Sequence, residues 1–247
     1  MSVLALRDVS YQYRNATRET LSHVNYSFER GTFYALLGKS GAGKSTLLSL
    51  LAGLDTPSSG AILFEDEPLN AQRLHTHRRD HIALVFQNYN LIDYLTPLEN
   101  IRLVNKHANA DILLDLGLEQ QHSSRNVLKL SGGQQQRVAI ARALASKAPV
   151  ILADEPTGNL DEQTALDIMH ILKERAATSN KCVIVVTHST DLAKMADVVV
   201  ELRNKQLCEC EPCERSSAKR SRLGHSTSEP TPCDRPTHDE ASSRQRS

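Results

Sequence analysis

Short, near-continuous apolar runs recur along the chain at residues 33–37 (FYALL), 82–86 (IALVF), 150–153 (VILA), 183–186 (VIVV) and 198–202 (VVVEL). They are β-branched or aliphatic, bounded by turn residues, and lack the period-two alternation of a half-solvated strand. Strands buried on both faces read this way. Between them lie helical patterns, over 134–145 and 162–176. Strands alternating with helices predict an α/β domain around a mostly parallel sheet. The opening differs. LALRDVSYQY (4–13) and HVNYSFE (23–29) alternate more and flank a polar turn, which predicts an accessory antiparallel sheet. DILLDLGL (111–118) predicts a short helix stopped by Gly117.

Past Leu207 the pattern ends. Residues 208–247 are rich in Ser, Pro, Arg and acidic side chains and nearly free of large apolar ones. Such a stretch cannot bury enough apolar surface to offset its ordering entropy. A disordered tail is expected there, after one domain over 1–207. The full 247 residues suffice for one large core with appendages. The 29 basic and 29 acidic residues cancel, so no global field draws in nucleic acid or an anionic membrane. The start, MSVLALRDVSYQY, has no basic segment leading a long apolar run, so no signal peptide is expected. The best membrane candidate, LLSLLAGL (47–54), is far shorter than the roughly 20 apolar residues a spanning helix needs. Four of the five cysteines follow Glu201, which leaves only Cys182 in the body, inside an apolar run. Reduced thiols in the cytosol are the expectation.

Three segments carry chemistry. GKSGAGKST (38–46) satisfies G-x-x-x-x-G-K-[ST] between an apolar strand and an apolar helix. Its glycines permit a tight turn that aims backbone N–H groups at phosphate oxygens, and the helix N-terminus behind adds partial positive charge. In that frame Gly38, Lys39, Ser40, Gly41, Ala42 and Gly43 cradle a nucleotide's phosphates. Lys44 reaches the β- and γ-phosphates, Ser45 ligates Mg²⁺ and Thr46 touches the α-phosphate. ILADEP (151–156) ends an apolar strand in two carboxylates, at the mouth of an α/β sheet where ligands bind. Asp154 suits a Mg²⁺ role through water, and Glu155 a general base that polarises the attacking water. The alternative for this pair is a solvated acidic loop.

LSGGQQQRVAIARAL (130–144) is the third segment. Ser131 is a good N-cap, and Gly132 and Gly133 leave N–H groups bare at the start of a long helix, a second anion site. Val138, Ile140, Ala141 and Leu144 form the core stripe of that helix, but packing does not account for the SGGQ cap. The 38–46 loop already wraps one side of a triphosphate, so this second site serves the other side. Two chains head to tail achieve that more easily than one.

Over about residues 4–207 the chain resembles the ATP-binding-cassette (ABC) ATPases, with SGGQQQR matching their signature motif and the elements in family order. The resemblance implies a P-loop ATPase domain with a mostly parallel core sheet and an N-terminal antiparallel β subdomain. It also implies a helical subdomain over about 88–146. It carries Gln87, after IALVF, onto the family's Q-loop glutamine, which touches Mg²⁺ and senses the transport partner. Asp161, in GNLD, matches the aspartate that contacts the opposing subunit, and Ser131, Gly132, Gly133 and Gln134 match the signature residues. His188, ending VIVVTH, matches the histidine that holds the γ-phosphate and the catalytic water. Tyr13 falls where the family stacks an aromatic on adenine, with Tyr11 two residues away as the competing register. Plain alternatives stand beside these: a strand cap for Gln87, a structural role for His188, an ordinary helix N-cap for Asp161, a surface strand residue for Tyr13.

QNYNLIDYLTPLEN and ILADEPTGNLD further resemble the lipoprotein-releasing, macrolide-efflux and bacteriocin-export branch, bacterial ATPases made separately from their permease. The resemblance implies an ATPase using ATP and Mg²⁺ and powering export of a peptide, bacteriocin, lipoprotein or drug. It implies a second copy of the chain and a multi-span permease as partners, at the cytoplasmic face of the membrane, with no nucleic acid. A non-transport machine acting on ribosomes or DNA is the alternative, against which stand the single cassette and the lack of a heptad insertion. Lys44, Glu155, Ser131 and His188 together argue against a regulatory pseudo-ATPase. Three features depart from the branch. The stretch 88–130 is short, which implies a trimmed helical subdomain. Lys205 replaces the glycine of an expected Asn-Gly hairpin turn, which makes a type I′ turn less comfortable. Cys208, Cys210 and Cys213 form a C-x-C-x-x-C that could bind a soft metal but lacks a regularly spaced fourth ligand.

Overall fold

The computed structural model describes residues 2–210. The predicted apolar runs form parallel strands β3 (Phe33–Leu37), β6 (Ile82–Val85), β7 (Val150–Asp154), β8 (Cys182–Val186) and β9 (Val198–Arg203). With β10 (Gln206–Cys210) they make a six-stranded sheet in the order β10-β9-β3-β8-β7-β6, antiparallel only at the β9–β10 edge. Successive residues of β8 show why these runs do not alternate. Cys182, Ile184 and Val186 enter one hydrophobic core, and Val183 and Val185 enter the other, so both faces are buried.

The first core lies beneath a second, antiparallel sheet of β1 (Ser2–Tyr11), β2 (Leu21–Glu29), β4 (Ser59–Phe64) and β5 (Glu67–Pro68), in the order β2-β1-β4-β5. Helix α1 (Lys44–Leu51) contributes Leu47, Leu48, Leu50 and Leu51 to that core. The expected alternation in β1 breaks. Its residues are buried at 3–6 and again at 9–11, because an irregularity between Leu6 and Val9, with Asp8 at φ 54°, flips the phase of the strand. After β5 come α2 (Ala71–Thr76) and a π-helical turn (His77–His81) that leads into β6.

The second core is covered by helices. Residues 88–131 hold only α3 (Pro97–Arg102), α4 (Asp111–Asp115) and two 3₁₀ turns, Gln120–His122 and Val127–Lys129. Thr96 and Glu99 start α3 with a capping box and Pro97 at its first position. Two long helices follow, α5 (Gly132–Ala145) and α6 (Glu162–Thr178), then the short α7 (Thr190–Ala193).

Asn204 and Lys205 form the two-residue turn between β9 and β10, both at positive φ (51° and 68°). The type I′ geometry is therefore adopted with lysine in the position that favours glycine. Cys208 and Cys210, assigned from composition to the tail, belong to β10 and correct its start. The rest of the expected tail, with Cys213, lies outside the described residues. Among the described residues no group of three or more His, Cys, Asp or Glu side chains could hold a metal ion, and no helix is long and apolar enough to cross a membrane.

Candidate functional site

Four parallel strands run into one cleft of roughly 640 Å³, at the carboxyl edge of the sheet where α/β domains bind ligands. β3 leads into residues 38–43, which turn sharply into α1. Gly43 caps that helix at φ 106° with no side chain, so the first backbone N–H groups of α1 have no side-chain partner. Lys44 is 9% exposed, and its Nζ donates to the carbonyls of Gly38 (2.8 Å) and Lys39 (3.0 Å). The ammonium is thus held over the loop that precedes it. Gly38, Ser40, Gly41, Gly43, Lys44, Ser45 and Thr46 line the cleft, whereas Lys39 and Ala42 belong to the loop without lining it.

Gln87 follows β6, and Asp154 and Glu155 end β7. Glu155 sits at φ 47°, a left-handed conformation costly for a non-glycine residue, with its N–H donating to Val186 O at 3.1 Å. Its Oε1 faces Nδ1 of His188 at 3.5 Å, beyond the end of β8. All four side chains line the cleft with the 38–46 loop. The arrangement gathers oxygen donors from Ser45, Gln87 and Asp154 beside a lysine and a row of backbone donors. That set can hold a hard cation and a polyphosphate together.

The Tyr11/Tyr13 register separates cleanly. Tyr11 is 6% exposed and donates to the Asp55 carboxylate, which with burial pushes its hydroxyl up to about 12. Tyr13 is exposed, lines the cleft and shares a 2.7 Å hydrogen bond with Thr46 Oγ1. Thr20 lines it too. No motif marks Thr20; it arrives because the N-terminal sheet packs over Gly43.

The signature residues stand elsewhere. Ser131 Oγ accepts from Gln134 N (3.3 Å) and Gln134 Oε1 accepts from Ser131 N (3.0 Å), a capping box that starts α5. Asp161 caps α6, accepting from Thr164 N (3.0 Å) and Thr164 Oγ1 (2.7 Å), which holds its carboxyl below the usual range. Neither group lines the cleft. The two glycines of SGGQ also have close neighbours within the chain. A Cβ on Gly132 would lie 2.9 Å from the Tyr89 hydroxyl, and one on Gly133 would lie 3.1 Å from Leu160 Cδ2. Both glycines therefore lie close against the ends of side chains from neighbouring segments.

A family model described as ABC transporter matches residues 21–158. An uncharacterised ABC transporter ATP-binding protein of Bacillus subtilis, YclH, is 41% identical over 212 residues, covering 82% of this chain and 94% of its own length. The macrolide export ATP-binding/permease protein MacB of Brucella melitensis is 38% identical over 219 residues, 83% of this chain and 34% of MacB. A dimeric, post-hydrolysis structure of the cassette MJ0796 of Methanocaldococcus jannaschii, bound to ADP and Pi, superposes with a TM-score of 0.77 at 36% identity. It covers 85% of this chain and 98% of that one. A cleft lined by the 38–46 loop at the ends of parallel strands, in a chain this similar to ATP-binding cassettes, leads to one conclusion: the protein belongs to the ABC transporter family and is an ATP-binding, ATP-hydrolysing subunit.

Proposed function

We propose that the chain powers export through a separate membrane permease, hydrolysing ATP at sites shared between two of its copies. The observation that carries this reading is the split between the two groups of site residues. The cleft supplies the 38–46 loop, Gln87, Asp154, Glu155 and His188, while Ser131–Gly133 and Asp161 cap helices outside it. A second copy facing head to tail brings its own α5 N-terminus to the open side of the nucleotide. The solved cassettes to which the chain is similar are dimeric, which supports the pairing of two copies.

In this reading Tyr13 stacks on the adenine. Lys44 exchanges its two carbonyl partners for phosphate oxygens, and Thr46 contacts the α-phosphate. Ser45, Asp154 and Gln87 offer the oxygen ligands that Mg²⁺ prefers, and the bound ion would neutralise charge on the phosphates. Glu155 accepts the proton of the attacking water as the bond from the γ-phosphorus to its bridging oxygen breaks, leaving ADP and phosphate. His188, facing Glu155, holds the water and the γ-phosphate.

The permease partner is supported by an apolar surface just after Gln87. Tyr94 is 81% exposed and Leu128 60%, with Ile92, Leu103 and Val104 also open to solvent. Asn100 ties Ile92 to α3 through bonds to its N–H (2.8 Å) and carbonyl (3.2 Å), and Val127 N donates to Leu95 O at 3.2 Å. These bonds brace residues 92–100 and tie 127 to 95, and we take the exposed apolar side chains carried there as the contact surface. Through it the chain sits at the cytoplasmic face of the membrane. Export follows from the resemblance of 87–100 and 151–161 to the efflux branch and from the similarity to MacB. The test is to capture tagged Glu155→Gln protein with ATP from detergent-solubilised membranes of the native host. A co-purifying multi-span protein supports the reading, and ribosomal or nucleic-acid partners without one overturn it.

A further inference from the structure

The turn that follows Gln87 is held in a conformation that its own residues disfavour. Tyr89 and Asn90 lie side by side at φ 56° and 49°, the left-handed region in which a Cβ crowds the next carbonyl. Both of their carbonyls accept from one guanidinium. Arg142, in the last turn of α5, donates through Nη1 to Asn90 O (2.7 Å) and through Nη2 to Tyr89 O (3.2 Å). The Tyr89 ring reaches the opposite end of the same helix. Its hydroxyl accepts from Asn159 Nδ2 at 3.0 Å and abuts Gly132, where an added Cβ would lie 2.9 Å away. Tyr89 thus meets the side chain of Arg142, from the last turn of α5, and Gly132 of its first turn, and touches the segment that follows Glu155.

We propose that Arg142 is a positioning residue for hydrolysis: it holds the strained 89–90 turn so that Gln87 meets the cleft, and Tyr89 links that turn to the first turn of α5. A movement of Gln87 is then felt at Gly132, the part of α5 that faces the partner copy's nucleotide. This deepens, and rests on, the shared-site reading above. The guanidinium suits the task because its planar fork bonds two adjacent carbonyls at once, which a lysine cannot do. Without it the 89–90 turn relaxes toward the ordinary right-handed or extended regions, carrying Gln87 with it.

The test compares steady-state ATPase kinetics of the full chain in four forms: wild type, Arg142→Ala, Arg142→Ala with Asn90→Gly, and Glu155→Gln. Arg142→Ala should lower kcat by about ten-fold or more, since small misplacements cost up to about a hundredfold, while leaving KM for ATP within about two-fold. Asn90→Gly should then recover at least about half of the lost rate, because glycine occupies the left-handed region without steric cost and leaves only Tyr89 to be held there. A packing defect left by the shortened side chain would not be repaired at Asn90, which is solvent-exposed. A wild-type kcat in Arg142→Ala, or a loss that Asn90→Gly leaves untouched, overturns the proposal. If Arg142→Ala shows no cooperative melt, Arg142→Lys with and without Asn90→Gly carries the same comparison. Ser131→Arg, measured alongside, separates the two claims, with Glu155→Gln as the inactive reference: wild-type hydrolysis in Ser131→Arg removes the shared-site reading itself, whatever Arg142 does.

Discussion

Gly43 is a position at which the phosphate loop accepts a side chain poorly. At φ 106° an alanine there bears the left-handed cost of about 1–2 kcal/mol. Its Cβ would also lie 2.7 Å from Thr20 Cγ2, with Thr20 O at 3.5 Å and Leu202 Cδ2 at 3.6 Å. Only the first distance is a clash, and overpacking of that kind costs about 1–3 kcal/mol more. Gly43→Ala should therefore lose about 2–5 kcal/mol, a fall in Tm of roughly 5–15 °C for a domain of this size. Thr20→Ser removes the offending methyl while keeping the hydroxyl. In the double variant the clash disappears and the backbone cost remains, so urea denaturation of the four proteins should give a favourable coupling of about 1–3 kcal/mol. Gly43→Ala within about 0.5 kcal/mol of wild type, or strictly additive single effects, would refute the reasoning.

Lys205→Gly should raise stability by about 1 kcal/mol, because the turn already holds φ 68° there and the carbonyl that accepts from Ser22 N is retained; a lower urea midpoint would contradict it. Lys44→Ala should weaken binding of a fluorescent ATP analogue by at least about ten-fold, and unchanged affinity would remove the phosphate role of Lys44. Stability should also depend on His77 and His81. Burial lowers both below the usual 6.5, although the Leu51 carbonyl pulls His77 upward and Asp80 and Glu65 pull His81 upward. The nearby Arg78 works with burial on His77, and Arg73 and Arg30 on His81. As pH falls below about 6.5 the unfolded chain takes up protons that the folded chain refuses. Stability is then lost progressively until the lowered folded values are passed. Urea unfolding between about pH 7 and 5.5 should show a shallower decline in His77→Gln, which keeps a donor for Leu51 O without titrating; an unchanged slope would contradict the assignment.

The sheet was legible because burial on both faces writes itself as unbroken apolarity, as in 182–186, where alternate residues enter different cores. The phosphate loop and the carboxylate pair were legible because their chemistry depends on neighbours in sequence. β1 was less so: a local irregularity at residues 6–9 shifts its phase, and periodicity sees only its average. Thr20, Tyr89 and Arg142 were invisible for a different reason. Their roles are made by contacts such as Arg142 to Tyr89, 53 positions apart, which no local pattern encodes. The SGGQ segment shows two demands on one stretch: its serine and glutamine cap α5 and its glycines lie against Tyr89 and Leu160, contacts that spacing alone does not announce. Lys205 shows the converse, a turn formed against its residue's preference because the β9–β10 ladder over-determines it.

The central claim, that each ATP is hydrolysed between two copies, is tested most directly by mixing two inactive variants. Ser131→Arg disables the α5 contribution and Glu155→Gln the general base. In a mixed dimer one site holds both defects and the other holds neither. Co-expressed in equal amounts, half of the dimers are mixed and each has one intact site, so about a quarter of the wild-type ATPase rate should return. A mixture as inactive as either variant alone would mean that each site is built within one chain, and would contradict the account.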